Sequence, residues 1–212
     1  MSAPRNEKIL VLMPAFNEEE NISEVINDCR KFLNGSVDLI VVNDGSYDKT
    51  ADVCNQEKIK VINLPFNMGV GTALKTGFKH AIAQNYSFVI TLDADGQHDP
   101  KDLPLFFDKI KNSEADIIIG SRFLNKNKYK GTIPRTFGNK FFSRVISILI
   151  KEKLTDVTSG FRGFSKNALV YSINDNFNFD YPDADFLLTL HRAGFKFTEV
   201  PVVMRKRLLG HS

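Results

Sequence analysis

Cysteine is scarce in this 212-residue chain and carries no pattern. Cys29 and Cys54 fall in helix-like segments without metal-ligand spacing, and read as small buried apolar residues in a reducing compartment. No apolar run approaches the ~20 residues that span a bilayer. The opening stretch, Met1 to Lys8, lacks the apolar centre of a secretory leader. No Gly-Lys-Ser or Gly-Lys-Thr occurs, which excludes a P-loop. The glycines of Asn67-Met68-Gly69-Val70-Gly71-Thr72-Ala73 lack the third partner of a dinucleotide fingerprint. A helix N-terminus there can still help hold a diphosphate. A net charge of +3 is too mild to imply nucleic acid as a partner. Acids are missing altogether from Ile117 to Lys151, where Arg122, Lys126, Lys128, Lys130, Arg135, Lys140, Arg144 and Lys151 are all basic. Internal repeats and low-complexity stretches are also absent.

What remains is the composition of a globular domain with a proper core, 42% hydrophobic and 25% charged. Ile9 to Met13 reads as a first strand stopped by Pro14, and Asn17 with Glu20 as a capping pair for a helix whose stripe is Ile22, Val25, Ile26, Cys29 and Leu33. Leu39 to Val42, Lys60 to Leu64, Phe88 to Leu92 and Ile117 to Gly120 read as further strands. Between them lie helices near Lys49 to Glu57, from Val70 to Ala83 with Val70, Leu74, Phe78, Ala81 and Ile82 inward, and from Pro100 after an Asp99 cap. Continuous apolar strands alternating with helices predict an α/β fold, a mostly parallel sheet covered on both faces. Later elements, a helix over Arg135 to Ile150, one over Asp183 to Ala193 and a strand over Glu199 to Met204, extend the same domain.

The chemistry gathers at strand ends, which open at one edge of a parallel sheet. Pro14 to Glu18, Asp44, and Asp93 with Asp95 each follow a strand. Strand alternation would put the two carboxylates of Asp93-Ala94-Asp95 on one side. Neighbouring carboxylates repel unless a cation lies between them, and Mg²⁺ or Mn²⁺ accepts one or two carboxylates while leaving positions for phosphate oxygens. Gln97 follows as a further oxygen ligand, and His98 adjoins it, within reach of a diphosphate.

Taken in order, these motifs resemble family 2 glycosyltransferases of the GT-A fold, and within them the polyprenyl-phosphate (dolichyl-phosphate) sugar synthases. Met13-Pro14-Ala15-Phe16-Asn17-Glu18 is similar to the family's first-strand motif, and Val42-Asn43-Asp44-Gly45-Ser46 to the second. Asn67 to Gly71, Asp93 to His98, Ile119 to Phe123, Asp156 to Arg162 and Glu199 to Val202 follow. The resemblance covers nearly the whole chain, with residues 1–123 as the nucleotide-sugar part of a single domain and 124–212 as the acceptor side. It implies that Pro14, Phe16, Glu18, Asp44, Asn67, Gly71 and Asp93 hold a UDP- or GDP-linked sugar. It implies that Asp95, Asp93 and Gln97 bind the metal, and that the anomer inverts. The processive synthases carry Gln-x-x-Arg-Trp, and this chain has no tryptophan. Related synthases often continue past the closing Arg-rich segment, whereas this sequence stops at Gly210-His211-Ser212, as a minimal enzyme or a shortened one.

A polyprenyl phosphate needs arginines rather than a base, and Arg122, Arg135, Arg205 and Arg207 are the candidates. Phe137, Phe141, Phe142, Val145, Ile146, Ile148, Leu149 and Ile150 lie among the cations of the acid-free segment, a composition that rests on an anionic membrane surface. The expected location is therefore the cytoplasmic face of a membrane. The alternative is a soluble member acting on a saccharide or protein hydroxyl, with Asp156 or Asp185 as base. Asp183 reads as a helix-capping acid behind Pro182. A nucleotide-binding module without turnover and a nucleotidyltransferase rank lower, the latter because Pro14 to Glu18 stands where its glycine-rich loop belongs.

Overall fold

A computed structural model describes residues 8–33, 35–112, 115–124, 143–144, 146–150, 153–173 and 184–205. Among these residues one sheet of seven strands runs through the molecule: β1 (Ile9–Ala15), β2 (Val37–Asn43), β3 (Lys60–Asn63), β4 (Phe88–Thr91), β5 (Ile117–Ser121), β6 (Arg162–Ser165) and β7 (Phe197–Pro201). The spatial order is β3-β2-β1-β4-β6-β5-β7. All neighbours are parallel except β6, which runs antiparallel to both β4 and β5. The sequence pattern missed β6, because Arg162-Gly163-Phe164-Ser165 has neither a β-branched run nor clean alternation.

β1 alternates between two apolar layers, as side chains on a strand must. Val11 and Met13 pack with Ile22, Val25 and Ile26 of α1 (Ile22–Arg30) and with Phe106 of α4 (Leu103–Asn112). Leu10 and Leu12 pack on the other face with Leu74 and Phe78 of α3 (Val70–Ala83). That face also takes up α5 (Lys166–Ser172) and α6 (Ala184–Arg192). The short α2 (Thr50–Gln56) joins β2 to β3. Gly77 lets α3 close on β1, since a Cβ there would lie 2.4 Å from the Leu12 methyls.

Several local expectations are corrected. Pro14 does not stop β1, which pairs with β2 through Ala15. Pairing with β4 ends at Leu12, and the Pro14 nitrogen faces that vacated side, so its missing N–H costs no ladder bond. Asn17 is not a helix cap: it sits at φ 54°, and α1 begins only after Asn21. Val70, the first residue of α3, is 43% exposed rather than inward.

The order of strands reverses beside β1: β2 and β3 are added on one side and β4 on the other. At such a switch the loops after adjacent strands part in opposite directions and leave a crevice at the carboxyl edge.

Candidate active site

The crevice is a cleft of about 320 Å³. It is lined by Pro14 near the end of β1, Phe16 and Glu18 from the loop that follows, Asp44 after β2, Asn67 after β3, and Asp93 and Asp95 after β4. Ala15, Gly69, Val70, Ala73 and Ala94 complete the lining. These five are small or apolar residues that fall inside the motif segments but are not among the candidate ligands, having no side-chain chemistry of their own. Gly71 is buried inside the first turn of α3, and neither it nor Gln97 forms part of the cleft wall.

Polar contacts hold the first two loops together. The Asn17 amide donates to Ser46 Oγ at 2.9 Å, and the Tyr47 amide donates back to Asn17 Oδ1 at 2.9 Å. The Glu18 amide donates to Thr50 Oγ1 at 2.8 Å, while its carboxylate accepts from Asn21 Nδ2 at 2.7 Å. Phe16 meets Tyr47 edge to face, with ring centres 5.8 Å apart. Asp44 is 3% exposed and accepts the Met68 amide at 2.8 Å, which fastens the loop after β3 to the loop after β2. Gly45 makes that approach feasible: its φ is 64°, and a Cβ would stand 2.3 Å from the Phe66 carbonyl carbon.

The acidic loop is a turn rather than a strand. β4 ends at Thr91, so alternation cannot explain why Asp93 and Asp95 share the cleft. The turn does that instead: Asp95 Oδ1 accepts the Gln97 amide at 2.9 Å, and Gly96 takes φ 76°. The Asp93 side chain is 44% open to the cleft. Protein surrounding it still hinders ionisation and raises its pKa; His98 and Arg122 oppose that, and the Asp95 charge adds to it. His98 is turned inward rather than toward a ligand. It is 3% exposed, lies tilted against Phe161 with ring centres 5.1 Å apart, and accepts the Asp93 amide on Nδ1 at 3.2 Å.

The donor set fits a hard divalent cation. Among the described residues no three His, Cys, Asp or Glu side chains form a complete cage. Mg²⁺ and Mn²⁺ rarely need one, because substrate phosphates and water fill the remaining positions around one or two carboxylates.

Comparison with known proteins gives this cleft a family. Residues 10–171 match the family described as Glycosyl transferase family 2. The chain is a family 2 glycosyltransferase. The enzyme is 33% identical over 180 residues to the UDP-N-acetylglucosamine–dolichyl-phosphate N-acetylglucosaminyltransferase of Methanococcus voltae, covering 76% of this chain and 70% of that protein. It is 31% identical to the dolichyl-phosphate beta-glucosyltransferase ALG5D of Trichomonas vaginalis, covering 90% of this chain and 64% of that longer protein. Glucosyl-3-phosphoglycerate synthase of Mycobacterium tuberculosis, crystallised with Mn²⁺, UDP and glucosyl-3-phosphoglycerate, superposes with a TM-score of 0.68 at 21% identity, over 95% of this chain and 73% of that one. The fold of the glycosyltransferase is therefore GT-A.

Beside the cleft lies a buried ion pair. Arg122, at the end of β5, donates Nε to Asp156 Oδ2 at 2.6 Å and Nη2 to Oδ1 at 2.7 Å, and its amide also reaches Oδ2 at 3.1 Å. Asp156 is fully buried and Arg122 10% exposed. The turn carrying Asp156 is held from β7, where Glu199 accepts the amides of Thr155 and Asp156 at 2.8 and 3.0 Å. An aspartate enclosed by a guanidinium is poorly placed as a base, which counts against Asp156 in that role. Asp185 lies exposed in the first turn of α6, away from the cleft wall. Arg205 is also corrected: its two terminal nitrogens meet Asp28 and Asp99 rather than the cleft. Arg135, Arg207 and Asp183 lie outside the described residues.

Proposed function

We propose that the enzyme moves a hexosyl group from a UDP- or GDP-linked sugar to a polyprenyl phosphate, with Mg²⁺ or Mn²⁺ and with inversion, at the cytoplasmic face of a membrane. The observation that carries this reading is the convergence of Asp93 and Asp95 on a cleft that also holds Asp44 and the start of α3. Phe16, Pro14, Glu18, Asn67 and Asp44 form the end of the cleft suited to base and ribose. The α3 N-terminus, with Gly71 in its first turn, favours the negative charge of a diphosphate. Asp95, with Asp93 and Gln97 assisting, would hold a divalent cation, which would supply Lewis-acid neutralisation of the departing diphosphate.

The acceptor reading rests on charge and on the relatives. Both named dolichyl-phosphate transferases are more than 30% identical to this enzyme. A phosphate monoester, whose second pKa is about 6, is mostly dianionic near neutrality and needs no base. Arg122 provides a fixed guanidinium near enough to Asp93 to favour its ionised form. Arg135 and Arg207 would complete the phosphate grip. Ile148 and Leu149, 71% and 57% exposed near the exposed Arg144, support contact with a lipid surface. No helix among the described residues is long and apolar enough to cross a membrane.

The test combines binding and turnover. UDP or GDP with Mn²⁺ should raise the melting temperature of the wild type and not of Asp95→Ala, since a ligand selective for the native state stabilises it. Labelled sugar should then pass to a short-chain polyprenyl phosphate. Transfer to saccharides alone would overturn the acceptor assignment, and nucleotide binding indifferent to metal would overturn the cation assignment.

A further inference from the structure

The acidic loop has a second side. Its front, Asp93 to Asp95, faces the cleft, and its back is fastened to the strap that follows β7. Met204 forms an antiparallel bridge with His98, and the Arg205 amide donates to the Gln97 carbonyl at 2.8 Å. One residue earlier, the Val203 amide donates to Asp102 Oδ2 at 2.7 Å. The Arg205 side chain then reaches two elements at once. Nη2 bonds Asp99 Oδ1 at 2.5 Å on the loop, and Nη1 bonds Asp28 Oδ2 at 2.7 Å on α1. Asp99 is 1% exposed and Asp28 17%, so the two carboxylates are shielded from water, while the Arg205 side chain itself is 34% exposed.

This arrangement ties the rear of the loop to α1 and to the strap. Asp93, Asp95 and Asp99 place three carboxylates within seven residues, with Gly96 at a positive φ between them. The Asp95 charge opposes that of Asp93 at the front, while at the rear Asp99 pairs with Lys101 as well as with Arg205. Arg205 binds the rear carboxylate from behind and ties it to a helix packed in the core. His98 carries the restraint forward, since its ring accepts the Asp93 amide.

We propose that Arg205 is a positioning residue for the divalent cation: it clamps the back of the acidic loop to α1 so that Asp93 and Asp95 stay converged at the front. The inference rests on the cation reading given under Proposed function. The sign of its effect is diagnostic. Arg205 is itself a cation, so deleting it makes the region more negative and, by charge alone, would tighten Mn²⁺. A clamp predicts the reverse. Groups that orient metal ligands from behind are worth roughly 10–100-fold in metal affinity.

Mn²⁺ binding with saturating UDP is measured by the loss of the free-ion electron paramagnetic resonance signal, below the melting temperature of every variant. Arg205→Met is expected to weaken Mn²⁺ by about tenfold or more. Its affinity for UDP in EDTA should match the wild type. Arg205→Lys keeps the charge but replaces a two-armed fork by one ammonium, and should weaken Mn²⁺ by roughly threefold or more. Arg30→Ala is the control for general loosening, because Arg30 lies on the same helix but pairs with Glu57, away from the loop; its Mn²⁺ affinity should be unchanged. Wild-type or tighter Mn²⁺ binding in Arg205→Met overturns the clamp and leaves the cation reading standing. Should that variant not fold, wild-type affinity in Arg205→Lys overturns it equally. A wild type that binds no Mn²⁺ removes the cation reading itself, and the clamp with it.

Discussion

Replacing Asp156 by asparagine tests whether the pair beside the cleft is a structural anchor or a source of acid–base chemistry. Asparagine preserves shape and removes the charge. Arg122 would then keep a guanidinium that is 10% exposed, facing a neutral group where two contacts of 2.6 and 2.7 Å had met a carboxylate. Leaving one member of a buried pair without its partner costs ~3–5 kcal/mol. For a domain of this size 1 kcal/mol moves the melting temperature by roughly 2–4 °C, so a fall of about 6–20 °C is expected. Adding Arg122→Met removes the stranded charge, and the double variant should recover much of the loss, because replacing both partners is often close to neutral. Differential scanning calorimetry of the wild type, both single variants and the double variant gives the coupling directly. Additive losses would refute the anchor. So would an Asp156→Asn protein that melts within about 2 °C of the wild type yet lacks activity, the pattern of a catalytic base.

Glu199 gives a pH signature. Burial raises its carboxyl above the ordinary 4.5, against hydrogen bonds from Thr155 and Asp156 that lower it. The folded state thus holds this proton more tightly than the unfolded chain does. Its contribution to stability is fullest below pH 4.5 and declines as pH rises through the folded-state pKa. Glu199→Gln should flatten the decline of melting temperature with pH in that window, and an unchanged slope would contradict the assignment. Gly45→Ala places a methyl 2.3 Å from the Phe66 backbone at φ 64°. Left-handed strain of ~1–2 kcal/mol plus overpacking of ~1–3 kcal/mol should lower the melting temperature by about 4 °C or more. UDP binding should weaken alongside, because Asp44 holds Met68 across the same turn; wild-type melting and binding would show that the loops move apart freely.

Much of the fold was legible because it rests on local signals. Ile22, Val25, Ile26 and Cys29 of the α1 stripe are buried as their spacing implies, whereas Leu33 lies past the helix end and is only partly buried; α3 spans Val70–Ala83 as read. The cleft was legible for a related reason. A parallel sheet gathers the loops after its strands at one edge, so strand ends alone name Pro14, Glu18, Asp44, Asp93 and Asp95. Reasoning from period failed where the chain left regular structure. Asp93 and Asp95 converge through an Asx-type turn, and Asn17 spends its side chain on Tyr47 instead of a helix end. β6 was missed because an antiparallel insert between β4 and β5 depends on partners some 70 and 40 residues away.

The charged residues divide the two kinds of information most sharply. A one-dimensional reading identifies the order of motifs, the alternation of strands and helices, and hence the edge at which acids meet a ligand, because hydrophobic period and turn chemistry act over a few residues. It cannot say which charge satisfies which. Arg122 and Asp156 are 34 residues apart, and Asp28 and Arg205 are 177 apart. Such partners are chosen by packing that brings distant segments together and removes water from between them. A side chain that looks like a phosphate ligand in sequence can therefore become a clamp in three dimensions, as Arg205 does, because a desolvated carboxylate nearby claims it first.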